Sequence, residues 1–189
     1  MTQTPAHAAP ARPVHKPAPG LSLVEMLCTL AIMLVLIGSA LPALNDLRAQ
    51  QALRATADLL ETDLQYARSL ALTEGQPVRL SVQALGAAES CYVIHTGAAH
   101  GCRCTGGGQA RCDAGSRLLR LVEPATATGI TLAPTERSLQ FDSSKGTVTP
   151  TATLRVADRD GRAIHQIINI MGRVRSCSPS GLGGLRPCA

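Results

Sequence analysis

The feature that most constrains this chain is an uncharged run from Met26 to Leu41, extended back to Leu21 by residues whose only charge is Glu25. The 21 residues from Leu21 to Leu41 are just long enough to cross a bilayer core as a helix. A carboxylate there costs roughly 2.5–3.5 kcal/mol on insertion scales, so Glu25 calls for a functional explanation. The 20 residues before the run hold five prolines and two histidines with no hydrophobic periodicity, and read as a leader outside the fold. Arg12 and Lys16 in that leader favour a cytoplasmic N-terminus, with the C-terminal domain across the membrane.

The helical pattern continues past the apolar run. Leu53, Ala57, Leu60, Leu64, Ala67 and Ala71 recur at alternating spacings of four and three, with Arg54, Asp58, Glu61, Gln65 and Arg68 around the rest of the surface. Gly75 and Pro77 supply the stop. A helix from about Leu21 to Glu74 would be on the order of 80 Å long at 1.5 Å per residue. Pro42 removes one backbone donor inside it, so a kink or a locally melted turn is expected there.

Beyond Gly75 the texture changes to short β-type runs between Gly, Pro, Ser and Asp. Strands are expected near Val78–Val82, Cys91–His95, Arg117–Leu121, Ile130–Leu132, Leu139–Phe141, Thr147–Val148, Thr153–Ala157 and Ile164–Ile170. Asp160-Gly161 signals a tight hairpin. Asp158-Arg159-Asp160-Gly161 also mimics the opening of a calcium loop, but the later carboxylate ligands are missing. Residues 97–116, dense in glycine and holding three cysteines, read as an irregular excursion, and "SPSGLGGLRP" as a flexible loop between Cys177 and Cys188. The expected class is α+β, with four segments. These are a leader (1–20), a membrane helix (21–41), its amphipathic continuation (42–75) and an antiparallel β domain against which the helix packs (76–189).

Six of the seven cysteines, Cys91, Cys102, Cys104, Cys112, Cys177 and Cys188, fall in the β domain, an even number that fits disulfides in an oxidising compartment. Six cysteines allow 15 connectivities. Proximity favours Cys177–Cys188, leaving the other four to pair among themselves. Zinc is the competing reading through His100, Cys102 and Cys104, although paired C-x2-C knuckles are missing. Cys28, in the membrane helix, is expected as a reduced, packed thiol. Only Tyr66, Tyr92 and Phe141 are aromatic, so the core rests on Leu, Ile, Val and Ala, and disulfides would each add roughly 2–4 kcal/mol.

An active site is hard to find in the sequence. Gly181-Leu182-Gly183-Gly184 lacks the strand and helix of a phosphate loop, and His95, His100 and His165 fall in no metalloprotease or nucleophile-elbow pattern. A Ser-His-Asp set assembled by folding is not visible in sequence. No enzymatic activity and no cofactor are expected. The charge is more informative. From Lys145 to Ala189 there are seven basic residues against Asp158 and Asp160, which hints at an anionic partner.

"GLSLVEML", glycine followed at the fifth position by glutamate within an apolar run, closely resembles the processing site of type IV pilins and type II secretion pseudopilins. "ARSLALTEGQPVRL" (Ala67–Leu80) and "INIMGRVRSCSP" (Ile168–Pro179) look like the GspH/FimT subgroup of minor pilins. The resemblance implies a prepilin peptidase cutting after Gly20, N-methylation of Leu21, anchoring in the bacterial inner membrane and incorporation into a filament. Leu21 departs from the commoner Phe or Met, and Pro42 falls where many pilins carry a helix-breaking proline. An ordinary signal peptide cut after Ala40 is the rival, with Gly38-Ser39-Ala40 a passable site. The length of the run, the stripe continuing beyond it and Glu25 all stand against it. Glu25 would pair with the new N-terminal amine of a neighbouring subunit; in low dielectric an unmatched carboxylate is penalised, which sets the assembly register.

Two tasks within the filament remain. FimT-like relatives carry a C-terminal G-R-x-R signature, matched here by Gly172-Arg173-Val174-Arg175, which implies binding of double-stranded DNA during natural transformation. Arg173 and Arg175 would alternate on an extended strand and point to one side, with Arg186 brought near by a Cys177–Cys188 closure. So few aromatics leave little base stacking, so binding would be led by phosphate contacts and indifferent to sequence. Alternatively the chain is a structural minor pilin or secretion pseudopilin that primes assembly, its arginines a solvated edge that discourages strand addition.

Overall fold

The computed structural model describes Gly20, residues 22–86 and residues 89–188. Leu21 and the leader before Gly20 lie outside the described residues. The chain divides into two units after Ala43.

One helix, α1 (Leu23–Glu74), contributes to both units and runs through Pro42 without a break in its helical assignment. The locally melted turn expected at Pro42 is therefore not found. The first unit is that helix up to Ala43. Its apolar side chains, such as Leu23, Val24, Leu34 and Val35, lie between 67% and 78% exposed, and the helix is long and apolar enough to cross a membrane. Among the described residues no side chain covers them, as in a segment that meets lipid or other helices.

In the second unit the stripe of α1 is buried as the spacing dictates: Leu53, Ala57, Leu60, Leu64, Ala67 and Ala71 are all at 1% exposure or less. They meet two antiparallel sheets. The first has the order β5-β2-β1-β7-β8, built from β1 (Val78–Ala84), β2 (Ser90–Thr96), β5 (Leu118–Val122), β7 (Ser138–Phe141) and β8 (Val148–Thr149). The second has the order β11-β10-β9-β6, built from β6 (Thr131–Pro134), β9 (Ala152–Ala157), β10 (Ala163–Ile168) and β11 (Val174–Cys177). Leu80, Tyr92, Ile94, Leu139 and Phe141 of the first sheet and Leu154, Val156, Ile164 and Ile168 of the second fill one core with the helix. Full burial of each large aliphatic side chain contributes about 1.5–3 kcal/mol.

Polar contacts also fix the helix on the sheets. Gln166 Nε2 donates to the Ala57 carbonyl at 3.0 Å, and Ser176 Oγ donates to Glu61 Oε2 at 2.9 Å. Asp63, buried on the stripe, accepts the Tyr92 hydroxyl at 2.7 Å and pairs with Arg120 Nε at 2.8 Å, both through Oδ2. Burial and the facing Asp63 carboxylate together push the Tyr92 hydroxyl pKa far up.

The glycine-rich excursion is a third, two-stranded sheet: β3 (Cys102–Gly106) pairs with β4 (Gln109–Cys112). The irregular loop expected there is thus a hairpin, held by Cys102–Cys112 across its open end and by Cys91–Cys104 to β2. Gln83 holds it from β1, accepting from Cys104 N–H at 3.0 Å and donating to the Cys102 carbonyl at 2.9 Å. The edge of β6 is closed differently. Leu132 N–H donates to Ser90 Oγ at 2.8 Å, and Pro134, the next outward position, has no N–H at all.

Candidate functional site: a helix start and a basic face

The first candidate lies where α1 begins. Ser22 is the N-cap: its Oγ accepts from Glu25 N–H at 3.2 Å, and its carbonyl accepts from Met26 N–H at 3.1 Å. Glu25 therefore occupies the third helical position, where the helix dipole favours a negative charge. Ser22-x-x-Glu25 has capping-box spacing, readable from sequence, but only the half from Glu25 N–H to Ser22 Oγ is formed among the described residues, so capping does not account for the carboxylate. A Cβ on Gly20 would meet nothing within 4 Å, so packing inside the chain does not require glycine there. Cys28 is free and exposed rather than packed.

The second candidate is the hairpin joining β10 to β11. Asn169 organises it: Arg173 N–H donates to Asn169 Oδ1 at 2.9 Å, Gly172 N–H to the Asn169 carbonyl at 2.9 Å, and Asn169 N–H to the Arg173 carbonyl at 3.1 Å. Gly172 takes a φ of 71°, in the left-handed region. A Cβ on it would lie 3.1 Å from the Gly146 carbonyl oxygen and from Cδ and Nε of Arg68, whose Nε donates to that same carbonyl at 3.0 Å. The glycine of the G-R-x-R signature thus serves the turn.

Arg173 and Arg175 are both exposed, but not as two residues of one strand. The strand begins at Val174, because the Asn169 turn holds Arg173 outside the ladder. Arg175 stands opposite Ile167 on the outer face of the four-stranded sheet. Arg186 lies on the tail closed by Cys177–Cys188, its carbonyl accepting from Ser178 N–H at 2.9 Å, three residues past Arg175. That tail is docked on the domain, contrary to the flexible loop expected. Leu182 enters the core, and Arg54 Nη2 donates to the Gly183 carbonyl at 2.6 Å.

The remaining candidates resolve into structural roles. The zinc reading fails for Cys102 and Cys104, whose sulfurs are in separate disulfides. Asp158 spends its carboxylate on the β9–β10 turn: Oδ1 accepts from the N–H groups of Asp160 and Arg162 at 3.0 Å each, and Oδ2 from Arg162 Nε at 2.6 Å. That is a turn and not a calcium loop. His165 sits against the Cys177–Cys188 bridge, its Nε2 buried without a hydrogen-bond partner among the described residues. Folding also brings Ser81 Oγ to 3.0 Å from His95 Nε2, with His95 Nδ1 at 3.1 Å from the Thr96 carbonyl. Burial lowers the His95 pKa, and no carboxylate bonds either ring nitrogen among the described residues.

A family model described as type II transport protein GspH matches residues 56–172. The chain belongs to the GspH family. This is a family of pilin-like structural subunits, so the chain is a pilin-like or pseudopilin-like subunit that assembles with others of its kind. Two crystal structures of the type IV minor pilin FimU from Pseudomonas aeruginosa PAO1 are similar in structure. One is 23% identical, with a TM-score of 0.46, covering 65% of this chain and 86% of that one. The other is 22% identical, with a TM-score of 0.44, covering 65% and 90%. No curated protein matches. The GspH match stops at Gly172, so Arg173, Arg175 and Arg186 lie beyond it, as Gly20 and Glu25 lie before it.

Proposed function

We propose that this GspH-family subunit is a minor pilin of the FimT-like kind, which enters a type IV pilus and holds extracellular double-stranded DNA non-specifically during natural transformation. The observation that carries the reading is the β10–β11 hairpin. Its turn presents Arg173, its strand presents Arg175, and neither side chain makes an ion pair or hydrogen bond with another described residue. No Asp or Glu occurs between Gly161 and Ala189, so the hairpin and tail carry net positive charge, although Glu61 of α1 reaches Ser176 beside Arg175.

Assembly follows from the other end. A prepilin peptidase cuts after Gly20, where side-chain space alone would admit other residues, and Leu21 is then methylated. The apolar helix crosses the inner membrane with the leader cytoplasmic, and Pro42 marks where it continues toward the β domain. In the filament Glu25 pairs with the amine of a neighbouring Leu21. Glu25 caps its own helix through the backbone only, so its carboxylate is available to that amine.

The test is a mobility shift with the processed full-length chain in non-ionic detergent. Sequence-blind binding that weakens with salt is expected, and Arg173→Gln with Arg175→Gln should reduce the slope of log affinity against log salt by roughly 2. Binding unchanged in that double variant removes the assigned site. No binding at low salt favours a structural subunit of a secretion pseudopilus, the second reading, which the description of the matching family supports.

A further inference from the structure

Twelve of the fifteen arginines of the second unit divide into two sets; of the other three, Arg48 and Arg186 are exposed and Arg159 is in contact with a neighbour. Arg54, Arg68, Arg79, Arg117, Arg120 and Arg162 are each held by a hydrogen bond or ion pair. Arg103, Arg111, Arg137, Arg155, Arg173 and Arg175 are exposed and make no such contact with another described residue. An unpaired surface arginine is ordinary; the arrangement of these six is not.

On the outer face of the four-stranded sheet, Arg175 stands opposite Ile167, which stands opposite Thr153, two residues from Arg155. That places the two arginines about 12 Å apart, from strand spacings of about 4.8 Å and a rise of about 3.4 Å per residue. Arg155 is in turn opposite Ala133 of β6. Ala133 lines a cleft of about 600 Å³ whose other walls include Arg103, Arg137 and His100. No carboxylate lines it; Glu136, beside Arg137 in sequence, is not part of the wall. Across the β3–β4 hairpin, Arg103 stands directly opposite Arg111. Like charges directly opposite oppose the pairing of their own strands unless an anion lies between them.

We propose that this cleft is a second phosphate-binding station, and that a DNA duplex lies along a basic track from Arg173 and Arg175, across Arg155, to Arg137, Arg103 and Arg111. The inference rests on the DNA-binding reading above and extends its site from one hairpin to a whole sheet face. A duplex carries one negative charge per about 1.7 Å of axis, so a track of this length meets phosphates throughout, whereas a two-arginine hairpin meets few. The outer face of this sheet carries no Phe, Tyr or Trp, so stacking contributes little and binding is led by the phosphate backbone.

The experiment is fluorescence anisotropy of a labelled duplex with the processed full-length chain in non-ionic detergent, repeated across salt concentrations. Arg103→Gln, Arg111→Gln and Arg137→Gln together should weaken binding and lower the salt slope by about 3, and Arg155→Gln alone by about 1. Arg48→Gln, on α1 and equally unpaired, should leave the slope at the wild-type value. Equal thermal melting of the variants shows that the fold is kept. A triple variant with wild-type slope and affinity, alongside loss of binding in the Arg173/Arg175 double variant, overturns the track and leaves the DNA reading standing. An Arg48 effect as large as that of Arg155 also overturns it, since charge would then matter regardless of place. Absence of binding by the wild-type chain at low salt overturns both.

Discussion

Gly172→Ala tests the reasoning that joins the fold to the site, because it changes no charge. Two costs add. An alanine at a φ of 71° costs about 1–2 kcal/mol in backbone strain. Its Cβ also arrives 3.1 Å from the Gly146 carbonyl oxygen and from Arg68. The carbonyl is backbone, and Arg68 cannot swing aside without giving up its 3.0 Å bond to that oxygen, about 1 kcal/mol net. The expected loss is therefore about 2–3 kcal/mol, which for a domain of this size lowers Tm by about 4–12 °C. Gly161→Ala is the matched control: its φ is 82°, and a Cβ there meets nothing within 4 Å. It should show the strain alone. Thermal unfolding followed by far-UV circular dichroism on the full chain in detergent reads both variants. Equal melting temperatures for the two would refute the crowding at Gly172 and leave only the backbone strain as the reason for glycine there.

Other outcomes follow from contacts already described. Burial holds the His95 pKa below its ordinary 6.5, so the unfolded chain takes up a proton that the folded chain refuses. Stability should accordingly fall as pH drops below about 6.5, and denaturant titrations of His95→Gln should show that dependence flattened. Tyr92→Phe removes the neutral donor to buried Asp63, whose Oδ1 already has no partner, and should cost about 1–3 kcal/mol by urea unfolding. For the assembly reading, Gly20→Val should leave the precursor uncut when the membrane fraction is weighed by mass spectrometry. Glu25→Ala should be cut normally yet be missing from sheared filaments, and its normal incorporation would count against the pairing role.

The sequence makes the helix legible because its face is periodic and continuously buried, from Leu53 to Ala71. It makes the central strands legible because β1, β2, β9 and β10 each place several apolar side chains in the core. The β3–β4 hairpin escapes such a reading for a physical reason. Apart from Cys102 its residues bury little, so no alternation is imposed on them, and disulfides and Gln83 hold it in place. Strand β11 is an edge with a single aliphatic residue, Val174, and Asn169 sets where it starts by a side-chain bond that no periodicity records. Asp63 sits on the helix stripe at core spacing, and its partners Tyr92 and Arg120 come from other strands. The basic residues of the C-terminal hairpin can be seen in sequence. The placing of Arg155 beside them cannot, since strand register brings it to their face, and Arg103 and Arg137 meet Ala133 only through the packing of separate sheets around the cleft.

The closed edge of β6 has a consequence at the scale of the filament. Subunits in such a polymer repeat at very high local concentration, each domain beside copies of itself. A sheet with free N–H donors along its rim would meet an identical rim at every step and could zip to it, locking neighbours in a geometry unrelated to the helical bundle. With Leu132 N–H spent on Ser90 and Pro134 offering none, that rim has nothing to donate. A neighbouring copy therefore finds no strand to extend along this rim.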